Sequence, residues 1–216
     1  MHQPPLVLDW WVSYGNLIFE SLGILAFAVS GLLEAARKKL DLVGMSMVTA
    51  MAAFGGGTLR DILLDRRPFF WVKYDYWVYI IIVMSFLALL FLRRSHMALT
   101  ERVVQWPDAI GLGIFAAGGT QIALEASQPP IIAVLMGTFT AIVGGVARDV
   151  AVREVPQVFV DHRPYAVIAF TGGWIVVMGD VFDWPNAVSL WAAALFIIVL
   201  RALAVWRNWR LPAWRH

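Results

Sequence analysis

Apolar residues gather in blocks of about 20, the length a helix needs to cross the hydrocarbon core of a bilayer. The blocks run over residues 16–36, 42–65, 76–93, 108–126, 130–152, 164–182 and 187–206. These seven predicted spans leave only short connections, and no soluble domain fits between them. Met1 to Asp9 lack a basic region followed by a cleavable small-residue site, so no signal peptide is expected and the first span stays in the mature protein. The third span holds only Ser85 as a polar residue and the seventh is almost uniformly apolar, which predicts that both lie at a lipid or subunit periphery.

Composition agrees with the pattern. Hydrophobic residues make up 60% of the chain and charged ones 15%, against roughly 45–50% and 25% in an ordinary soluble protein. A chain of 216 residues has too little interior to hide that much apolar surface from water, so it must face lipid. Cysteine is absent, which excludes disulfides, thiolate metal sites and cysteine nucleophiles. The formal net charge of +2 gives no argument for nucleic acid.

The distribution of charge says more than its sum. Arg37, Lys38, Lys39, Arg93, Arg94, Arg102, Arg148, Arg153, Arg163, Arg201, Arg207, Arg210 and Arg215 fall on one side of the seven-span bundle; Arg60, Arg66, Arg67 and Lys73 fall on the other. The positive-inside rule then places the N-terminus outside and the C-terminus in the cytoplasm. Trp10, Trp11, Trp71, Trp77, Trp106, Trp184, Trp206 and Trp209 lie near span ends, where amphipathic rings prefer the headgroup level.

A repeat is visible. Gly56-Gly57-Thr58-Leu59-Arg60-Asp61 matches Gly144-Gly145-Val146-Ala147-Arg148-Asp149 at an offset of 148 − 60 = 88. Without a gap, the same offset pairs Gly23 with Gly111, Phe27-Ala28 with Phe115-Ala116, Gly31 with Gly119, Pro68 with Pro156, Ile80 with Ile168 and acidic Glu20 with acidic Asp108. Spans 1–3 (about 16–93) and 4–6 (about 108–182) therefore read as two copies of one unit, with 187–206 as an unpaired extra helix. An odd number of crossings per copy makes the pair inverted. The expected fold is an all-α integral membrane protein, 1–216, with seven transmembrane helices in two inverted three-helix repeats plus a seventh.

Glycine is the poorest helix former after proline, so Gly55, Gly56 and Gly57, and Gly144 and Gly145, are expected to kink or open spans 2 and 5. Opened backbone is tolerated in a membrane only where protein buries it or water reaches it. Ser46, Thr49, Ala53, Gly57 and Arg60 share a helical face, as do Val134, Gly137, Ala141, Gly145 and Arg148, with Thr138 beside them. That face predicts a lining for a solute or ion path. The plainer reading is a small-residue packing stripe ending in an arginine that snorkels to the headgroups. Two copies at inverted positions favour the path, because interrupted segments at corresponding places mark transport sites. Arg60 and Arg148 are ionisable residues near the apolar zone that need acidic or carbonyl partners. Asp61 and Asp149 are nearest in sequence, but neighbours on a helix do not face each other. Ser30-Gly31 and Gly118-Gly119-Thr120-Gln121 occupy matching positions and are secondary lining candidates; Thr171-Gly172-Gly173 reads first as packing.

Absences narrow the function. Lys38, Lys39 and Lys73 all fall outside the spans, which excludes a retinal Schiff base, and His2, His96, His162 and His216 have no metal-ligand spacing. There is no phosphate-binding Gly-x-x-x-x-Gly-Lys loop and no Ser/His/Asp set, so neither an enzyme nor a cofactor is expected.

At Gly55-Gly56-Gly57-Thr58-Leu59-Arg60-Asp61 and Gly144-Gly145-Val146-Ala147-Arg148-Asp149, the chain resembles the prokaryotic branch of the trimeric intracellular cation channel family, over roughly residues 16–206. The resemblance implies a homotrimer with one pore per subunit, formed mainly by the glycine-kinked second and fifth helices and conducting monovalent cations, chiefly K⁺, with Na⁺ as a second permeant ion. Animal members carry a Lys-Glu-Val element that binds inositol lipid; here Arg60-Asp61-Ile62 stands in that region, a departure that does not carry lipid regulation over. Related bacterial sequences are also described as glycine transporters. The first expectation is a passive potassium-permeable channel in a prokaryotic inner membrane, with Ser46, Thr49 and Thr138 hydroxyls and freed carbonyls along the path, and with Arg60, Asp61, Arg148 and Asp149 bracing a gate. The alternative is a carrier for a small zwitterion such as glycine, its carboxylate on an arginine and its amine near Asp61 or Asp149. A non-conducting scaffold leaves the doubled motif without a reason.

Overall fold

The computed structural model describes residues 7–92, 101–210 and 212, with the side chains of 7–16, 92, 101 and 102 excepted. Arg93, Arg94, Arg102, Arg215, Trp10, Trp11, His2, His96 and His216 therefore lie outside the described positions or side chains.

Seven long helices are found among the described residues: α1 (Val7–Arg37), α2 (Leu42–Leu63), α4 (Tyr76–Leu92), α5 (Glu101–Glu125), α6 (Pro130–Ala151), α8 (Ala166–Val181) and α9 (Asn186–Trp206). Two one-turn helices, α3 (Phe70–Lys73) and α7 (Gln157–Val160), interrupt the connections after α2 and α6; the hydropathy pattern gave no sign of either. Asp41 starts α2, its carboxylate accepting the Gly44 N–H at 2.8 Å. Pro130 opens α6, where its missing N–H costs nothing.

Four helices are long and apolar enough to cross a bilayer, at Leu17–Arg37, Leu42–Leu63, Pro130–Ala151 and Asn186–Trp206. Two others are apolar but shorter: α8, at 16 residues, reaches about 24 Å at 1.5 Å per residue. α5 is long but carries Asp108, Gln121 and Glu125. Outward-facing positions such as Val43, Tyr79, Val83, Phe91, Phe139, Met178, Leu195 and Val199 are exposed. Apolar surface on that scale belongs in lipid or against other subunits. The chain is an all-helical integral membrane protein.

Four helices form the centre. α1 packs on α2 and α5, α5 on α6, and α2 on α6, while α8 lies on α5 and α6 and α4 lies on α2. Contacts in this centre come in reciprocal pairs at the offset of 88. A Cβ on Gly23 would strike the Phe115 ring at 2.9 Å, and one on Gly111 would strike the Phe27 ring at 2.7 Å; the two rings lie 5.3 Å apart between them.

Two sequence expectations need correction. α9 is not peripheral all round: it packs along α5 and α8, burying Ala193, Ala194, Ile197 and Arg201, because uniform apolarity does not say which face meets protein. Trp77, in the first turn of α4, is buried in the core, so its ring packs on protein and not on headgroups. Trp106, Trp184, Trp206 and Trp209 are exposed, and half-buried Trp71 donates its Nε1–H to Thr58 Oγ1 at 3.0 Å.

Candidate functional site

The glycine elements do not open their helices. α2 and α6 run unbroken through Gly55–Gly57 and Gly144–Gly145. What the glycines provide is closeness: a Cβ on Gly56 would sit 1.8 Å from the Thr140 carbonyl oxygen, and one on Gly144 would sit 2.3 Å from that of Ala52. Residues 52 and 140, like 56 and 144, are 88 apart, so this is one contact made twice across the α2/α6 crossing. Without a Cβ at these positions the two backbones approach where side chains would hold them apart.

One turn beyond each crossing, an arginine is buried, Arg60 at 3% exposure and Arg148 at 2%. Arg60 Nε donates to Asp61 Oδ1 at 2.9 Å and Nη1 to Glu20 Oε1 at 3.1 Å. Arg148 Nε donates to Asp149 Oδ1 at 2.8 Å and Nη1 to Asp108 Oδ1 at 2.7 Å. The expectation that adjacent Arg and Asp do not meet is thus wrong at both sites. It treats side chains as radial spokes, whereas the long arginine stem folds back and lets the planar fork reach sideways. Neither guanidinium snorkels outward. Each aspartate also binds backbone. Asp61 Oδ2 accepts the Phe70 N–H at 3.3 Å and Asp149 Oδ2 accepts the Gln157 N–H at 2.9 Å, so the carboxylates tie down α3 and α7 at their first turns.

Each arginine therefore meets two carboxylates. Guanidinium supplies five donors in a plane, enough to hold both, and the formal balance of each group is one negative charge. Such a group draws cations and repels anions.

The two ends differ in what surrounds them. A cavity of about 60 Å³ opens beside Arg60 and Glu20, bounded by Phe19, Phe115, Gly118, Gly119, Gln121 and Glu125 among others, room for a few waters. Beside Arg148 the space is about 10 Å³. There Tyr165 Oη donates to Asp108 Oδ2 at 2.7 Å, and Ser30 Oγ accepts a short bond from Arg148 Nη1. Gly118, Gly119 and Gln121, secondary candidates from the sequence, line the larger space, while Thr120 bonds back to Ala116 O at 2.8 Å.

The expected lining hydroxyls border neither cavity. Ser46 and Thr138 donate to the carbonyls of Leu42 and Val134 on their own helices, both at 2.8 Å. Thr49 is fully buried against Gly31 of α1, and its Oγ1 has no hydrogen-bond partner. Ala53 and Ala141 sit in the core, and Gly57 is packed under the Phe70 ring. Sequence reasoning missed Tyr165 and Arg201. Arg201, read as a topological anchor, is 2% exposed; it bonds Asp161 Oδ2 and Pro164 O, each at 3.2 Å. No signal marked it beyond its place in an apolar helix. Among the described residues no group of three or more His, Cys, Asp or Glu is placed to hold a metal ion.

Comparison with known proteins bears on this arrangement. The model of the family described as "Glycine transporter" matches residues 17–93 and 105–180. A UPF0126 membrane protein of Vibrio cholerae is 32% identical over 199 residues, covering 90% of this chain and 81% of the relative. The UPF0126 inner membrane protein YadS of Escherichia coli is 31% identical over 198 residues, covering 89% and 93%. Among solved structures, the trimeric intracellular cation channel orthologue from Rhodobacter sphaeroides superposes with a TM-score of 0.81 at 31% identity, covering 90% of this chain and 98% of that one. The chain belongs to this family, that of the UPF0126 membrane proteins and the prokaryotic trimeric intracellular cation channels.

Proposed function

We propose that the chain is a passive, K⁺-permeable cation channel of the bacterial inner membrane, assembled as a homotrimer with one path per subunit along the α2/α6 pair. The observation that carries the reading is the doubled cluster of one buried arginine and two carboxylates, one at each end of that pair. A path flanked at both ends by net negative charge favours cations. The solved relative is described as a trimeric cation channel and the Escherichia coli relative as an inner membrane protein, which support the activity, the assembly and the location.

In this reading spans 1–3 and 4–6 are inverted repeats related by a two-fold axis in the membrane plane, with the N-terminus outside. The reciprocal contacts at offset 88 support the repeat, as do the starts of the two matched segments, 105 − 17 = 88. The side with most lysines and arginines supports the orientation. In this reading the tight crossing at Gly56 and Gly144 is the closed state, and the glycines let α2 and α6 slide or bend without side chains to unlock. Membrane lipid surrounds the trimer, nucleic acid is no partner, and K⁺ passes with Na⁺ as competitor.

A glycine carrier would need an unengaged cation for the substrate carboxylate. Arg60 and Arg148 are each already paired with two acids of their own, which supports the channel instead. Purified protein in planar bilayers tests the proposal: unitary currents reversing near the K⁺ potential in asymmetric KCl and NaCl are expected. Saturable glycine counter-flow without unitary currents would replace the channel by the carrier.

A further inference from the structure

The offset of 88 sets Gln121 and Glu125 of α5 opposite Leu33 and Arg37 of α1. On α1 the charge of that turn is matched, with Arg37 Nη2 2.7 Å from Glu34 Oε1. On α5 it is not. Among the described residues Glu125 takes only an amide donor, Gln121 Nε2 at 3.2 Å on its Oε1, and no arginine or lysine. The Arg60 end, hydrated through its cavity, therefore sets one guanidinium against three carboxylates, those of Glu20, Asp61 and Glu125, a formal balance of two negative charges.

Three side chains that border this cavity of about 60 Å³ each keep an oxygen with no hydrogen bond among the described residues. Glu20 gives Oε1 to Arg60 and Glu125 gives Oε1 to Gln121, which leaves the second oxygen of each. Gln121, 7% exposed, uses its amide N–H and leaves its carbonyl oxygen. A buried amide oxygen without a donor is an exception in folded proteins. The rest of the wall is apolar, built from Phe19, Ile114, Phe115, Ile122 and Leu190. Gly118 keeps the space open, since a Cβ there would meet Phe19 alone, at 3.5 Å.

An alkali cation needs a shell of oxygens and gains nothing from hydrocarbon walls. A primary ammonium has three N–H donors and no acceptor, one donor for each unbonded oxygen. A short alkyl tail on it would be drawn out of water by the apolar side, and Phe19 and Phe115 add the attraction of aromatic rings for a cation. At about 10–15 Å³ per water, the cavity has room for about four to six, the bulk of an ion such as ethylammonium. We propose that the cavity at the Arg60 end is a binding site for a small primary alkylammonium ion, its nitrogen held by Glu20, Gln121 and Glu125 and its tail against Phe19, Phe115 and Leu190. An amino acid is disfavoured by the same charges: its carboxylate would lie among acids and find Arg60 already paired. The inference goes beyond the channel reading and does not depend on it, because a bound ion is detected whether or not K⁺ passes.

Ethylammonium binding to the full chain in detergent tests this, followed by saturation-transfer NMR from the protein to the ethyl protons. Saturable transfer is expected, and none to ethanol, which has the same tail without the charge. Glu125→Gln should weaken binding about tenfold by removing a charged acceptor. Gly118→Val should abolish it with every carboxylate in place, because the added methyl groups fill the space; Gly118→Ala, which makes only ordinary contact and should weaken binding, serves if valine lowers the ligand-free thermal midpoint. No saturable transfer overturns the site, and so does equal transfer to ethanol. Binding that survives both substitutions at Gly118 marks a diffuse attraction of the surface and overturns the site as well. Glycine binding as tightly as ethylammonium overturns the choice of ligand, and so does displacement by an equal concentration of KCl, which would assign the cavity to an inorganic ion. Unitary currents decide the channel reading separately.

Discussion

Replacing Gly56 by alanine would place a methyl carbon 1.8 Å from the carbonyl oxygen of Thr140 and 2.9 Å from its carbonyl carbon. A carbon normally rests about 3.3–3.6 Å from such an oxygen, so α2 and α6 must part by about 1.5 Å. The obstructing atoms are backbone, and no side chain can rotate aside. Overpacking of this kind costs about 1–3 kcal/mol, and separating the helices also loosens the matching contact at Gly144. Against that, alanine is better than glycine in a helix by about 1 kcal/mol. A net loss of about 1 kcal/mol should lower the thermal midpoint of the detergent-solubilised protein by roughly 2–4 °C for a chain of this size. Gly55 is the control within the same triplet. A Cβ there meets its nearest atoms at 3.5, 3.6 and 3.8 Å, ordinary contact, so Gly55→Ala should keep or raise the midpoint. Equal losses at Gly55 and Gly56 would refute the reasoning, since the triplet would then act through backbone freedom and not through contact.

Arg148→Ala strands Asp108 and Asp149 in the interior without their counter-charge, a change worth about 3–5 kcal/mol; the thermal midpoint should fall steeply, and recordings should show altered open probability with little change in ion preference. Glu20→Gln leaves one carboxylate per guanidinium at the hydrated end, so K⁺ conductance should drop about twofold at 0.01 M salt and recover at 1 M, where the Debye length shrinks from about 30 to 3 Å. A drop that persists at 1 M would assign Glu20 to direct coordination. At the surface, the hydrogen bond and charge of Lys38 hold the Glu154 carboxyl below the usual carboxylate range. Because the folded value is the lower one, the contribution of this pair is complete above the ordinary value of about 4.3 and drains away as pH falls through the folded value. Glu154→Gln should therefore flatten the acid side of the stability profile between about pH 5 and 3 at low salt; identical slopes would show that Lys38 and Glu154 do not pair in solution.

The membrane class and the seven apolar blocks were legible because lipid leaves a coarse signature, long runs of one kind of residue. The offset of 88 was legible because the motif recurs in one register, and Glu20 opposite Asp108 already set one acid beside each arginine. The partner of each arginine was not. Helical wheels describe where a Cβ points, and a guanidinium at the end of a long flexible stem does not obey them. The glycines show a different limit: propensity says that Gly55–Gly57 weaken a helix, but whether a weak helix breaks or is pressed against a neighbour depends on what lies opposite. Thr140 and Ala52, 84 and 92 residues from Gly56 and Gly144, settle that. Tyr165 and Arg201 carried no local mark, because each matters only through a partner on another helix.

On the proposed channel reading, a permanent cation at each end of the path looks like a contradiction until the electrostatics of the interior are considered. Two carboxylates alone at one buried site would repel each other, and one would take up a proton and lose its pull on K⁺. An arginine between them supplies a counter-charge to both, one that it does not give up. The group then carries one formal negative charge spread over four oxygens instead of concentrated at one. A lone buried carboxylate would bind a dehydrated cation tightly and release it slowly, which conduction does not tolerate. A lysine could balance one acid as a point charge, but it lacks the planar fork that reaches Asp149 through Nε and Asp108 through Nη1 at 2.8 and 2.7 Å. Arg148→Lys should accordingly retain more stability than Arg148→Ala but less than the unchanged protein, read as the thermal midpoint in detergent, because one ammonium cannot fork to both carboxylates. A midpoint equal to that of the unchanged protein would mean that charge alone, and not the shape of the guanidinium, holds the two acids together.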